Sequence, residues 1–132
     1  MKLLRFFDYA FTRTATFFFK RDGVEADRAI WFVTGIQTFL VLDAACTFLY
    51  FVFPGFLKEH STLGAIAWGM ILSGAYMLNR RRYRGQYFRF KEQWQESHRQ
   101  RVGRGVAMIV IGIIVFYYPL FLLTLFGKAS LS

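Results

Sequence analysis

The amino-acid sequence predicts an all-α, polytopic membrane protein with three transmembrane helices. Of its 132 residues 55% are hydrophobic and 20% aromatic, yet the formal net charge is +9. A soluble domain of this size accommodates that combination badly. The two tendencies are separated along the chain, because apolar stretches at 29–53, 62–78 and 105–126 are almost free of charge and the basic residues lie between them. We therefore interpret 1–132 as a single membrane domain.

The lengths of these stretches fit a bilayer. At ~1.5 Å per residue, the three stretches would span roughly 37, 25 and 33 Å, against a hydrocarbon core of about 30 Å. The middle stretch is short, so we expect the arginines that follow Asn79 to complete the crossing by reaching the head-group level.

The distribution of Lys and Arg predicts the orientation. Residues 1–28 carry six and 80–104 carry nine, whereas 54–61 and the tail from 127 carry one each. Basic residues concentrate on the cytoplasmic side of membrane proteins. The sequence therefore predicts a cytoplasmic N-terminus, a C-terminus outside, and a turn at Pro54-Gly55 between the first two spans.

The N-terminal segment, 1–21, has the pattern of an amphipathic interfacial helix. At ~100° per residue its charged and hydroxyl side chains fall on one arc and most of its phenylalanines on the opposite arc. Such a helix can lie in the membrane interface or pack against the chain's own cytoplasmic segment, and the pattern favours neither. Asp22 and Glu25 then have the spacing of a capping box for the helix of the first span.

The segment 80–104 is predicted to be a basic cytoplasmic helix between spans 2 and 3. Its aromatic side chains recur at helical spacing, Gly85 is a weak point, and we expect the chain to reverse near 102–105. We expect the aromatic stripe to face the bilayer surface or the N-terminal helix. Contact with anionic lipid head groups or with a partner is predicted for Arg80, Arg81, Arg82, Arg84, Tyr87 and Trp94. Nucleic acid is a much weaker interpretation, because this basic segment adjoins a span.

A stripe of small side chains follows the second span. Ala65, Gly69 and Ser73 are spaced by four, which lets another helix approach closely. We expect the stripe to pack the first or third span of the same chain, with a contact between chains as the alternative.

Asp43 is the sharpest candidate site, because it is the only formally charged residue within the three spans. A carboxylate near mid-bilayer is costly, so it should face the bundle, a partner or water. Depth along the helices predicts Ser73, Tyr117 and Tyr118 as its hydrogen-bonding neighbours. It is interpreted either as a structural aspartate or as an ion or proton site.

No motif indicates catalysis, a metal or a cofactor. Cys46 is the only cysteine, and His60 and His98 fall on opposite sides of the predicted membrane, which disfavours a haem. The sequence therefore favours a non-catalytic component of a bacterial inner-membrane assembly, as a homo-oligomer or beside a larger partner. The alternative is a pore-forming or ion-conducting oligomer, including a membrane-disrupting effector.

Overall fold

The structure, a computed structural model, describes residues 2–53, 56–94 and 97–129. Within these ranges it leaves the side chains of 2–3, 57–58, 122–123 and 125–129 undescribed. The turn expected at Pro54-Gly55 lies outside the described residues.

All described elements are helices. In chain order they are α1 (Lys2–Asp22), a short 3-10 turn (Gly23–Glu25), α2 (Asp27–Val52), α3 (Phe56–Glu59), α4 (Ser61–Tyr83), α5 (Tyr87–Gln93) and α6 (His98–Ala129). The three apolar stretches predicted as spans lie within α2, α4 and α6, apart from Phe53, which directly follows α2.

Three helices are long and apolar enough to cross a membrane, by length and composition. They are α2, α4 and the part of α6 from His98 to Phe121. The chain therefore has the architecture of a multi-pass membrane protein. Because three crossings alternate in direction, the N-termini of α2 and α6 and the C-terminus of α4 lie together, and we call this the basic end.

The central helix of the bundle is α2. It packs against α1, α4 and α6, whereas α4 and α6 have at most marginal contact with each other among the described residues. Most of the side chains along α4 and α6 are exposed, including Met77, Leu78 and Ile114. In a bilayer such apolar side chains can face lipid without cost, because lipid tails are as apolar as leucine.

The hydrophobic core lies at the basic end rather than halfway across the bundle. It joins α1, the first half of α2, the last residue of α4 and α5; its members are Phe7, Ala10, Phe11, Ala15, Ala26, Ala29, Ile30, Val33, Ile36, Tyr83, Tyr87 and Phe90. Water is available at this end to drive apolar burial, which explains why the buried apolar side chains cluster here.

The middle of α1, residues 7–15, is covered by the rest of the chain on both its polar and its apolar side. Phe11 stacks on Tyr83 with 4.4 Å between ring centroids, and Phe7 is 5% exposed. Asp8 and Thr12, which belong to the polar arc, are also buried. Helix α1 therefore packs against the chain's own basic segment, and its position in the membrane interface stays a prediction.

The basic segment is not one helix. It breaks at Gly85, whose φ of +71° lies in the left-handed region that favours glycine. The reversal expected near 102–105 is wrong, because those residues lie inside α6, which already begins at His98. Two glycines within a helix lower its stability but do not end it when the flanking residues continue the pattern.

The expected capping box does not form either. Asp22 ends α1, and its Oδ2 accepts from the backbone N–H of Arg28 in the first turn of α2 at 2.9 Å. Glu25 instead binds the guanidinium of Arg84. A capping box needs its two residues at the N-cap and three positions later in the same helix. Because the 3-10 turn Gly23–Glu25 precedes α2, Asp22 and Glu25 do not occupy these positions.

Candidate functional site

Asp43 lies on the face of α2 that meets both neighbouring spans. One turn before it, the ring of Phe39 is 6.0 Å from Trp68 of α4 and 5.4 Å from Phe116 of α6, measured between centroids. One turn after it, the hydroxyl of Thr47 is 3.2 Å from that of Tyr118 in α6. Because residues four apart share a helix face, Asp43 lies between these contacts. It is only 8% exposed.

Two buried polar atoms near this level lack partners. Neither Oδ1 of Asp43 nor Nε1 of Trp68 forms a hydrogen bond with any described residue. One atom is an acceptor and the other a donor. Buried polar groups are almost always hydrogen-bonded, so such a pair indicates either a functional role or a missing partner.

The hydrogen-bonding neighbours expected for Asp43 are not found. The hydroxyl of Ser73 donates to the carbonyl of Gly69 at 2.9 Å and is exposed, so the expected bond from Ser73 is absent. Phe39 of α2 contacts Trp68 of α4, and the two helices run in opposite directions. Asp43, one turn after Phe39, therefore lies level with residues of α4 that precede Trp68. Ser73 follows Trp68 and lies nearer the basic end.

The two tyrosines of α6 differ from the expectation in separate ways. Tyr117 is 59% exposed. Tyr118 reaches Thr47, whose hydroxyl in turn donates to the backbone carbonyl of Asp43 at 2.7 Å. The tyrosine therefore approaches the carboxylate's helix but does not bond to the carboxylate.

The stripe of small residues on α4 is open. Ala65 and Ser73 are exposed, and a Cβ added at Gly69 would meet nothing within 4 Å. The stripe is therefore not filled by another described span of this chain, which was the favoured expectation. Helix α4 contacts α2 through Trp68, Tyr76 and Asn79 instead.

An apolar groove of about 430 Å³ runs between α2 and α6. Gly35 and Gly112 lie in it, and Phe39 and Phe116 belong to its lining. Since Phe39 precedes Asp43 by one turn, the Oδ1 that lacks a partner among the described residues lies about one turn beyond the groove along α2. The groove and the carboxylate together form our candidate site.

A second polar cluster was missed by the sequence analysis. Nδ2 of Asn79 donates to Thr34 Oγ1 at 3.0 Å and to Gln37 Oε1 at 2.7 Å, which links α4 to α2. The available signal was Gln37, an uncharged polar residue inside an apolar stretch. Polar side chains within spans usually bond across helices, so Gln37 called for a partner.

The basic residues expected to contact head groups divide into two sets. Arg82 binds Asp8 and Arg84 binds Glu25, so both form ion pairs within the chain. Tyr87 is buried, with its hydroxyl 3.3 Å from that of Thr16. The remaining residues of the set are Trp94, which packs edge-on against Tyr9, and the exposed Arg80 and Arg81.

Within the described part of the chain, no group of three or more His, Cys, Asp or Glu residues could hold a metal ion. Comparisons with protein families, curated proteins and solved structures find no match to this chain. Its function must therefore be inferred from its own residues.

Proposed function

We propose that this chain is a non-catalytic component of a bacterial inner-membrane assembly, in which another membrane helix docks beside Asp43. The partner is a second copy of the chain or a larger membrane protein. The basic end faces the cytoplasm in this proposal, as the positive-inside rule favours. The observation that carries it is the buried Oδ1 of Asp43, which lacks a partner among the described residues.

The free-energy cost of placing the Asp43 carboxylate inside the membrane supports docking. Insertion scales place an aspartate at a helix centre about 2.5–3.5 kcal/mol uphill. Oδ1 is enclosed by the chain's own side chains, so a docking helix recovers part of this cost if those side chains move aside and it donates a hydrogen bond to Oδ1. Trp68 offers a donor on the neighbouring helix, so an amide or hydroxyl side chain, which both donates and accepts, suits the site best.

The open surfaces beside the carboxylate support the same proposal. The groove between α2 and α6 has two glycines in its lining, and the stripe on α4 is unfilled. Small side chains let helix backbones approach closely, and such contacts drive association in membranes. A partner helix that fills the groove and continues for one turn beyond Phe39 reaches the level of Asp43.

Photocrosslinking in native membranes tests the proposal. Benzoylphenylalanine replaces Ile113 in the groove, Ser73 in the stripe, or Phe51, which is 77% exposed and lines none of the described cavities. We expect protein adducts at Ile113, or at both Ile113 and Ser73, and lipid adducts alone at Phe51. Lipid adducts alone at all three positions would contradict the proposal.

Substitutions of Asp43 identify its contribution. Asp43→Leu should fold with equal or higher yield, because it removes a costly carboxylate, and should lose the Ile113 adducts. Asp43→Asn should keep part of the Ile113 adducts, because the amide of asparagine can still form a hydrogen bond with the docking helix. Asp27→Asn, an exposed carboxylate at the start of α2, is the matched control. Unchanged adducts in Asp43→Leu would exclude Asp43 from docking.

The pore alternative uses the same residue differently, because several Asp43 carboxylates would then surround one axis. Ion flux across proteoliposomes that contain only this chain distinguishes the two functions. Flux that disappears in Asp43→Leu would favour the pore over the docking component.

A further inference from the structure

A polar cavity of about 350 Å³ lies at the basic end, apart from Asp43. Residues of α1, α5 and α6 and the residue after α5 line it: Tyr9, Thr12, Arg13, Thr16, Lys91, Trp94 and Arg101. Three of these side chains are cationic and none is acidic. The lining therefore has the charge of an anion site.

The three cations have no counter-ion among the residues that the structure describes. Arg13, Lys91 and Arg101 form no ion pair with a described residue, in contrast to Arg82 and Arg84 of the same basic end. Like charges gathered around one cavity repel each other, and an anion between them removes that repulsion.

Trp94, which lines this cavity, carries a neutral donor without a partner among the described residues. Nε1 of Trp94 is buried and forms no hydrogen bond with any described residue. An indole N–H can only donate, so its missing partner is an acceptor. Phosphate oxygens are acceptors that also suit guanidinium and ammonium groups.

An apolar cavity of about 570 Å³ adjoins the polar one. Arg13 and Thr16 line both cavities, and the apolar one continues along Phe17, Phe18, Phe32, Met108 and Ile109. Along α6, Arg101 and Ile109 lie on one face, two turns and roughly 12 Å apart. A charged site at the helix entrance therefore leads into an apolar site deeper in the membrane.

We propose that these adjoining cavities bind one anionic phospholipid, with its phosphate among Arg13, Lys91 and Arg101 and an acyl chain beside Phe32 and Ile109. A free phosphate ion uses only the polar cavity. The apolar extension favours the lipid. Its residues Phe32, Met108 and Ile109 also line the groove between α2 and α6, whereas the phosphate site at Arg13, Lys91 and Arg101 lies outside that groove.

Retention of phosphatidylglycerol by the full chain, measured by native mass spectrometry from mixed phosphatidylglycerol and phosphatidylcholine nanodiscs, tests this site. Each basic residue near an anionic surface contributes about fivefold in affinity by diffuse attraction, whereas a direct hydrogen bond to a charged phosphate contributes about tenfold or more. Replacing Arg13, Lys91 and Arg101 together by Gln should therefore weaken retention by about 1,000-fold, against about 100-fold for the loss of three exposed surface charges. The control replaces the exposed Arg80, Arg81 and Arg99, which line neither cavity, and so removes the same charge.

The comparison between the two triple variants decides the question. A loss at least tenfold larger for the cavity variant supports the site, and equal losses overturn it because they indicate diffuse surface attraction. Circular dichroism verifies that both variants fold. Selective retention in wild type that persists undiminished in the cavity variant also overturns the proposal.

Two further arms separate the lipid from free phosphate. Ile109→Trp, which fills the apolar cavity, should reduce retention, whereas Val110→Trp on a neighbouring exposed position should not. Glycerol phosphate at millimolar concentration should not displace the lipid. Displacement, or no effect of Ile109→Trp, would assign the site to a free phosphate-bearing ion and overturn the lipid.

Discussion

Asp8 and Arg82 lie 74 positions apart in the chain and form a two-oxygen ion pair that ties α1 to the end of α4. Nη2 of Arg82 donates to both carboxylate oxygens, at 2.9 and 3.0 Å, and Nε donates to Oδ1 at 3.2 Å. The hydroxyl of Tyr83 donates to the same Oδ1 at 2.8 Å. The carboxylate of Asp8 thus connects α1 to the last two residues of α4 at the basic end of the bundle.

Arg82→Gln should destabilise the protein more than Arg84→Gln. Hydrogen bonds to charged groups contribute about 1.5–3 kcal/mol, whereas an exposed ion pair contributes about 0–1 kcal/mol. The Asp8 side chain is 12% exposed, but the Glu25 side chain that pairs with Arg84 is 56% exposed. Reversible unfolding in mixed micelles measures the free energy of unfolding of both variants. Equal losses of stability would contradict the larger contribution expected for the buried ion pair.

Asn79→Leu should weaken the contact between α4 and α2. Hydrogen bonds between helices in membranes contribute about 0.5–2 kcal/mol, and Asn79 donates two of them. A double-mutant cycle with Gln37→Leu should give a positive coupling energy. Ser73→Ala is the control, because Ser73 bonds only within its own helix. Additive effects of the two substitutions would show that the pair is not coupled.

Gly85→Ala and Gly103→Ala should change stability in opposite directions. At Gly85 the φ of +71° strains an alanine by about 1 kcal/mol or more. Gly103 lies inside α6, where a Cβ would meet nothing within 4 Å, so alanine should stabilise the helix by roughly 0.5–1 kcal/mol. Thermal unfolding followed by circular dichroism compares them, and a stabilised Gly85→Ala would contradict the left-handed turn.

Cysteine labelling tests the orientation of the chain. In a Cys46→Ala background, a cysteine at Lys58 or Ala129 should react from outside intact cells, and one at Gln93 should react only after the membrane is opened. The side chains of Lys58 and Ala129 lie outside those that the structure describes, so the exposed Glu59 provides a further outside position. Labelling of Gln93 in intact cells would refute the topology.

Much of the bundle follows from local sequence. The three apolar stretches coincide with long helices because bilayer thickness sets a length that composition alone reveals. The break at Gly85 follows from one residue's conformational freedom. The position of the second reversal did not follow, because glycines in 102–105 interrupt the pattern without ending α6.

The sequence predicted Asp43 as the central residue of the candidate site but not its neighbours. Asp43 stands out as the single charge in the spans, but its neighbours depend on which residues of α4 and α6 reach the same level. Counting residues from the membrane surface placed Ser73 beside it. The contact between Phe39 and Trp68 shows that Asp43 instead lies level with residues of α4 before Trp68. Side-chain contacts, which residue counting does not include, set the register of packed helices.

By itself, the sequence determined three apolar helices with both basic segments at one end, since length, composition and charge fix these features locally. Only the tertiary structure decided which side of each helix faces its neighbours. A span that is apolar all round, such as α4, carries no amphipathic pattern to fix its rotation about its own axis. The pairing of Asp8 with Arg82, the bonds of Asn79 and the open stripe at Gly69 all depend on that rotation.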